Sequence, residues 1–424
     1  MKVLWVVNAP IPLAAEALGV PAEGFPTWVE AAHNAVVTRA DVEVSIAFPR
    51  AGKPRRTTTK GASFATFRAV EFGREREAAP AIADMIRRMG PDLVHVFGTE
   101  GGHAQVVAEA CTRMGVPFVV GLQGLSSTIG QHYTSGLPAV VTHGFTLRDV
   151  VRRDNIARQA AKYRQWGEAE GRTLRLARYV IGRTTWDKAV SQQWNPEARY
   201  FLVPETLRPT FYAKQWSLEN CQPHSIFVSQ GHYPIKGLHF VLRALPAIVE
   251  RQPDTQVFVG GWPIRSSGVR GWLKQTRYST YVARLAQRLG LEDRVHFVGV
   301  LNEANMAEQF LRSHVFVTAS TVENESNSLS EAKLLGVPVV ASYVGGVADR
   351  VEHGTTGFFY QHDAPYMLAH YVNKLFSDPS LCRRFSTEER AASMRLNDAT
   401  HNAQLLCDAY DSILKETSGY VREL

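Results

Sequence analysis

The stretch ENESNSLSEAKLLGVPVVAS, Glu323–Ser342, sets acids and small polar residues between two apolar runs. VFVTAS (Val315–Ser320) precedes it and VPVVAS (Val337–Ser342) closes it. Both runs are short, β-branched and apolar, the pattern of strands buried on both faces of a parallel sheet. Ser328–Leu335 between them suits a short helix, with Gly336 standing where a helix stops. Strand, helix and strand make a βαβ unit. Such a unit presents a helix N-terminus, with its unpaired N–H groups and positive dipole end, at the carboxyl edge of the sheet, which suits an anion. Glu323, Glu325 and Glu331 crowd that same place. Glu331 is expected in the first helical turn and Glu325 on the surface.

Outward from this unit the plan repeats. SIFVSQ (Ser225–Gln230), QVFVGG (Gln256–Gly261) and RVHFVGV (Arg294–Val300) are further strands. Helices are expected at Phe240–Glu250, Ser279–Leu289 and Ala304–Arg312. The first half alternates likewise. Its strands are KVLWVVN (Lys2–Asn8), VEVSIAF (Val42–Phe48), DLVHVFG (Asp92–Gly98) and PFVVGLQ (Pro117–Gln123). Amphipathic segments at Ala78–Met89 and Ala104–Met114 separate them. This alternation predicts parallel sheets covered by helices. A basic helical stretch spans Val151–Tyr179, then YVIGRTTWDKAV (Tyr179–Val190) supplies a strand and a helix start. Polar Phe211–His224 is expected to link the halves. Two Rossmann-like halves of similar size place a ligand in the cleft between them.

The 424 residues, with 45% hydrophobic and 21% charged content, describe a globular protein of about two or three domains. No run reaches the roughly 18 apolar residues of a membrane helix. MKVLWVVNAPIP fits a first buried strand better than a signal peptide. Cys111, Cys221, Cys382 and Cys407 fit no metal spacing and are expected as reduced core thiols of a cytoplasmic protein. The net charge of +7 is gathered in PRAGKPRRTTTKG (Pro49–Gly61) and in the arginines and lysine between Arg152 and Arg178. That charge is either solvated surface or attraction to an anionic acceptor or the inner membrane face. No zinc pattern or RNA-binding signature accompanies it, so nucleic acid is not an expected partner.

Glu323 and Glu331 form an E-x7-E pair, followed by LLGVPVVAS and Gly345-Gly346. VEHGTTGFFY (Val351–Tyr360), SQGHYPIKGLH (Ser229–His239) and GRTTWD (Gly182–Asp187) accompany it. Together these resemble glycosyltransferase family 4, and in particular a bacterial subgroup with SQGxYPIKGLH, GRTxWD and ENxxNSLxEA motifs. The resemblance is dense over residues 180–360 and thin over residues 1–90. It implies an α/β protein of the GT-B fold, with two Rossmann-like domains facing across a cleft. An acceptor domain is expected over residues 1–210, with a C-terminal helix at about 398–424 packing back on it. A donor domain is expected over 211–397.

The same resemblance implies a retaining, metal-independent enzyme that moves a hexose from a nucleotide diphosphate sugar, most often a UDP-sugar. The acceptor would be a glycan or lipid-linked intermediate of a surface polysaccharide. No cofactor and no metal are expected, and no D-x-D occurs in the chain. Glu331 would accept hydrogen bonds from the ribose and Glu323 would face the donor sugar. Gly299 and Val300 would recognise the base. The amides of Asn327, Ser328 and Leu329 would meet the diphosphate, and Lys236 would balance its charge as it leaves. Two departures stand out. Gln123 occupies the place of a common family histidine, and the turn Ser229-Gln230-Gly231-His232 lacks a common arginine. Gln230, His232 or Arg183 is left to take that role. His103, after the Gly98–Gly102 loop, is a further catalytic candidate, whereas His95, inside an apolar strand, is expected in the core. Two rivals are a nucleotide-sugar 2-epimerase on the same architecture and a non-catalytic nucleotide-sugar-binding partner.

Overall fold

The computed structural model of the chain describes residues 1–19, 27–59, 62–71, 73–262, 264, 271 and 273–420. Lys60 and Gly61 of the basic cluster and residues 421–424 of the expected last helix lie outside the described residues. The chain forms two compact units. The first comprises Met1–Ser127, Arg164–Arg208 and Asn397–Leu424, and the second Thr128–Tyr163 and Pro209–Leu396. Residues 128–163 therefore group with the second unit, not with the first as the expected boundary at 210 had it. Long-range hydrogen bonds hold them there: Thr321 Oγ1 donates to the His132 carbonyl, and His239 Nε2 lies 3.1 Å from the Ser135 carbonyl.

The first unit is built on an eight-stranded sheet. Its strands are β1 (Lys2–Val6), β2 (Glu43–Pro49), β3 (Arg56–Thr59), β4 (Ala62–Phe67), β5 (Leu93–Phe97), β6 (Phe118–Gly121), β7 (Tyr179–Gly182) and β8 (Arg199–Leu202). The order is β3-β4-β2-β1-β5-β6-β7-β8, parallel except for the antiparallel β3–β4 pair. β5 (LVHVF) and β6 (FVVG) are wholly buried, as continuous apolar runs in a covered parallel sheet must be. β3 and β4 were not expected. Their polar RTTT half lies on the sheet edge inside the basic cluster, and Lys53, Arg55 and Arg56 are exposed there.

Helix Ala399–Tyr420 closes the first unit's core with Leu406, Tyr410 and Ile413. Each fully buried side chain of that size contributes about 1.5–3 kcal/mol, so the helix is an integral part of the unit. His95 is a core residue. Its Nδ1 lies 2.7 Å from the Tyr410 hydroxyl, and burial pushes its pKa down to about 3, so the ring is neutral.

The second unit has a six-stranded parallel sheet. Its strands are β9 (Gln222–Val228), β10 (Gln256–Gly260), β11 (Val295–Gly299), β12 (Ser313–Thr318), β13 (Val339–Ser342) and β14 (Phe358–Tyr360). The order is β11-β10-β9-β12-β13-β14. Phe227, Phe310 and Phe316 interlock beneath it, with ring centroids 5.1–6.0 Å apart. The expected linker Phe211–His224 belongs to this core instead. Phe211 is fully buried, and Trp216 is buried with its indole N–H donated to the Ser313 carbonyl at 2.8 Å.

The basic helical stretch is interrupted. Helix Leu147–Arg152 ends at Arg153, whose φ of 50° is left-handed, and a second helix runs over Ile156–Leu176. Several of its cations are engaged on the protein. Arg158 lies over Phe145, Arg175 over Trp194 and Arg178 over Tyr179. The four cysteines are buried free thiols.

Candidate active site

In the second unit the chain lays down β9, runs outward to β10 and β11, then returns to β12 on the other side of β9. Strand order reverses between β9 and β12, and ligands of open α/β sheets bind in the crevice beyond the carboxyl ends at such a point. Two loops meet there. The loop after β9 ends in the short turn Pro234–Lys236, and the loop after β12 carries Ala319–Ser326. The Thr321 amide donates to the Ile235 carbonyl at 2.8 Å. Gly237 allows the approach: its φ is 68°, and a Cβ would stand 1.8 Å from the Ala319 carbonyl oxygen.

This approach brings Lys236 Nζ to 2.6 Å from Glu323 Oε2. Ser320 Oγ donates to the same carboxylate oxygen at 3.1 Å, and the Gly346 amide donates to the Glu323 carbonyl at 3.1 Å. Burial acts to lower the Lys236 pKa, but Glu323 and Tyr233 outweigh it and the net shift is upward. The ammonium stays charged at any physiological pH.

Ser326 then caps helix Asn327–Leu335, its Oγ accepting from the Leu329 amide at 3.4 Å. The helix begins one residue earlier than expected. The amides of Asn327 and Ser328 have no partner inside it, whereas that of Leu329 is engaged by the cap. Glu331 is buried in the second turn, not the first. A helix-dipole role fades beyond the first turn, so a mere helix-start acid no longer describes it.

Glu325 corrects the expectation of a surface acid. Its side chain is wholly buried and pairs with Arg350 Nε at 2.8 Å. Arg350 follows the short helix Gly345–Asp349, and its carbonyl accepts from the Lys333 ammonium on the helix after Ser326. The acids beside an anion site thus have separate tasks. Glu323 balances Lys236, Glu325 balances Arg350, and Glu331 is a buried residue of helix Asn327–Leu335.

The other candidates divide by unit. Gln230 accepts from the Tyr233 hydroxyl at 2.7 Å. His232 is neutral, pushed down to about 4 by burial and then by Lys236. Gly299 ends β11 with its carbonyl accepting from Gly261, and Val300 beyond it is 65% exposed. All of these lie on the second unit with Lys236. His103 and Arg183 lie on the first. Arg183 is buried there against Glu205 at 2.9 Å and donates to the Leu122 carbonyl at 2.8 Å, so the structure gives its charge a structural partner in place of a diphosphate. His103, the further catalytic candidate, is buried against Phe67, and burial pushes its pKa down to about 4, so the ring is neutral.

Glu100 was missed. In the first unit the order reverses between β1 and β5, and Glu100 follows β5. It accepts from the Gly124 amide at 2.7 Å and from Asn8 Nδ2 at 3.2 Å. Burial, then the charge of Glu170, pushes it up to about 7. An acid just past the carboxyl end of an apolar strand was the available signal. A carboxyl raised on folding binds its proton more tightly in the native state, so stability is lost as pH rises from the ordinary glutamate range through about 7. Glu100→Gln is expected to flatten that fall in pH-dependent denaturation. An unchanged slope counts against the raised carboxyl.

Residues 211–392 match the family model described as Glycosyl transferases group 1. A putative glycosyltransferase, YtcC, of Bacillus subtilis is 25% identical over 206 residues, 48% of each chain. A D-inositol 3-phosphate glycosyltransferase of Streptomyces avermitilis is 31% identical over 155 residues, 36% of this chain and 32% of the relative. The chain spans about half, or less, of the length of the curated relatives it matches. Among solved structures, sucrose-phosphate synthase from Thermosynechococcus elongatus superposes with a TM-score of 0.70 at 16% identity, covering 98% of this chain and all of the other. HepE of Anabaena, solved with UDP and glucose, gives 0.66 at 18% identity over 97% of this chain and all of the other. Likeness at that identity concerns the fold, and the fold is GT-B.

Proposed function

We propose that this chain, with the GT-B fold and a group 1 glycosyl transferase match over residues 211–392, is a retaining glycosyltransferase. It moves a hexose from a nucleotide diphosphate sugar, a UDP-sugar, to a glycan or lipid-linked acceptor in surface polysaccharide synthesis. The observation that carries this reading is the Lys236–Glu323 pair, at 2.6 Å, at the sheet's reversal point beside the start of helix Asn327–Leu335. A permanently charged ammonium and unpaired helix amides are what a diphosphate needs. When the donor enters, Lys236 exchanges Glu323 for the diphosphate, and Glu323 becomes an acceptor for donor-sugar hydroxyls. As the glycosidic bond breaks, charge grows on the leaving diphosphate, and Lys236 with the Asn327 and Ser328 amides meets it without reorganisation. Glu331 takes the ribose hydroxyls. No helix among the described residues is long and apolar enough to cross a membrane; we place the enzyme in the cytoplasm, at the inner membrane face when its acceptor is lipid-linked.

The deciding experiment incubates the chain with UDP-hexoses and candidate acceptors. Free UDP with a new glycoside is the expected product. An epimerised donor supports the 2-epimerase instead, and binding without turnover supports the non-catalytic partner. Activity should survive EDTA, because Lys236 and the helix amides supply the charge that a bridging metal otherwise would. Loss on chelation that Mg²⁺ or Mn²⁺ restores contradicts this.

Glu331→Ala should weaken UDP binding by roughly 1.5–3 kcal/mol, the worth of hydrogen bonds to a charged group. Calorimetric titration of a folded variant with UDP measures it, and unchanged affinity removes Glu331 from the ribose site.

A further inference from the structure

The second unit holds a cavity of about 810 Å³, within the roughly 300–1,000 Å³ typical of small-molecule sites. Its walls are mostly apolar, from Leu147, Val151, Trp262, Ile264 and Leu273. Val151 is 76% exposed and Trp262 65%. Singly scattered apolar side chains are ordinary on a surface, but a contiguous set marks a binding site. Arg152 and Lys274 also line the cavity as exposed cations, and among the described residues neither has a carboxylate partner. His232, from the loop that carries Lys236, lines the cavity too, so it adjoins the candidate active site.

The cavity has a fixed frame. Thr146 and Asp149 form a reciprocal cap on helix Leu147–Arg152. Both groups also reach a distant segment of the chain. Thr146 Oγ1 donates to the Gln275 carbonyl at 2.8 Å, and the Arg277 amide donates to Asp149 Oδ2 at 3.1 Å. Helix Leu147–Arg152 and the Leu273–Lys274 wall are thereby pinned to each other.

The lining discriminates among ligands. A glycan would lose hydrogen bonds to water against the apolar walls, and Arg148, Gln275, Thr276 and Ser279 return only part of them. A bare anion would engage the cations and leave the apolar walls wet. A hydrocarbon chain ending in phosphate satisfies both halves. The geometry points to a binding site for a lipid phosphate, its chain against Val151 and Trp262 and its phosphate on Arg152 and Lys274. This rests on the glycosyltransferase reading in one respect: it names the acceptor class, and it sets the lipid part on the second unit.

The test titrates the full chain with farnesyl phosphate, with farnesol, inorganic phosphate and UDP in parallel. Farnesyl phosphate should bind at least about tenfold tighter than farnesol or inorganic phosphate. Val151→Asp and Lys274→Glu should each weaken it by about tenfold or more while leaving UDP affinity unchanged. Equal binding of farnesol, or unchanged affinity in both variants, overturns the site. So does UDP binding in a protein that takes no farnesyl phosphate, an outcome that leaves the donor reading standing. Association with anionic vesicles, without binding of the soluble lipid phosphate, makes the face a membrane-docking surface and also overturns it. A dimer dissociated by Val151→Asp, again without lipid binding, does the same. Farnesyl phosphate binding in a protein that takes no UDP supports the site and sinks the donor reading alone.

Discussion

Replacing Lys236 with alanine should lower turnover by on the order of 10²–10³, the usual cost of removing one preorganised group that meets developing charge. The effect belongs in turnover at saturating donor, because the ammonium matters most as the diphosphate leaves. Removing Lys236 also strands Glu323, which is only partly exposed. In Lys236→Ala/Glu323→Ala that stranded charge is gone. Glu323 also faces the donor sugar in the proposed mechanism, so the decisive outcome is a gain of activity from the single to the double variant: it assigns the loss to the stranded carboxylate and not to Lys236. Wild-type turnover in the single variant with every accepted donor would reduce Lys236 to a structural lysine.

The largest effect on stability should come from the Arg350–Glu325 pair. Arg350→Ala or Glu325→Ala leaves one buried charge without its partner, which typically costs about 3–5 kcal/mol. Against a usual total of roughly 5–15 kcal/mol, that is enough to unfold a marginal domain. Replacing both with leucine should cost far less, since a matched apolar pair strands no charge. Urea unfolding of the two single variants and the double variant measures this. A loss below about 1 kcal/mol in the single variants places the pair among solvated surface bridges.

How much of this was legible follows from what a local pattern can carry. VFVTAS, VPVVAS and LVHVF are continuous apolar runs, and a strand covered on both faces leaves no other trace. RTTT, in β3, is polar and sits on an edge, so its pairing with β4 showed no local signal. Phe211 and Trp216 were averaged into a polar segment, although each is anchored by partners about a hundred residues away. The grouping of residues 128–163 rests on hydrogen bonds to His239, Arg277 and Thr321. No spacing along the chain encodes those.

In the site, the βαβ unit and the Lys-Gly turn marked out where the loops meet. Glu325 escaped because its counter-charge, Arg350, lies beyond a further strand. Arg183 was a candidate from the GRTTWD motif and His103 from its place after the Gly98–Gly102 loop, and burial decided their character. Glu100 escaped because its neighbours, Asn8, Gly124 and Glu170, come from three separate stretches.

The first unit's dependence on helix Ala399–Tyr420 has a consequence for synthesis. Tyr410 reaches His95, and Leu406 and Ile413 fill a core otherwise made from the first half of the chain. A nascent chain leaves the ribosome N-terminus first, so that core waits, incomplete, until Ala399–Tyr420 has emerged. The second unit's last segment ends at Leu396 and is finished earlier. The first unit's strands are thus made before the second unit and completed after it, and their apolar edges must be shielded from aggregation until that helix arrives.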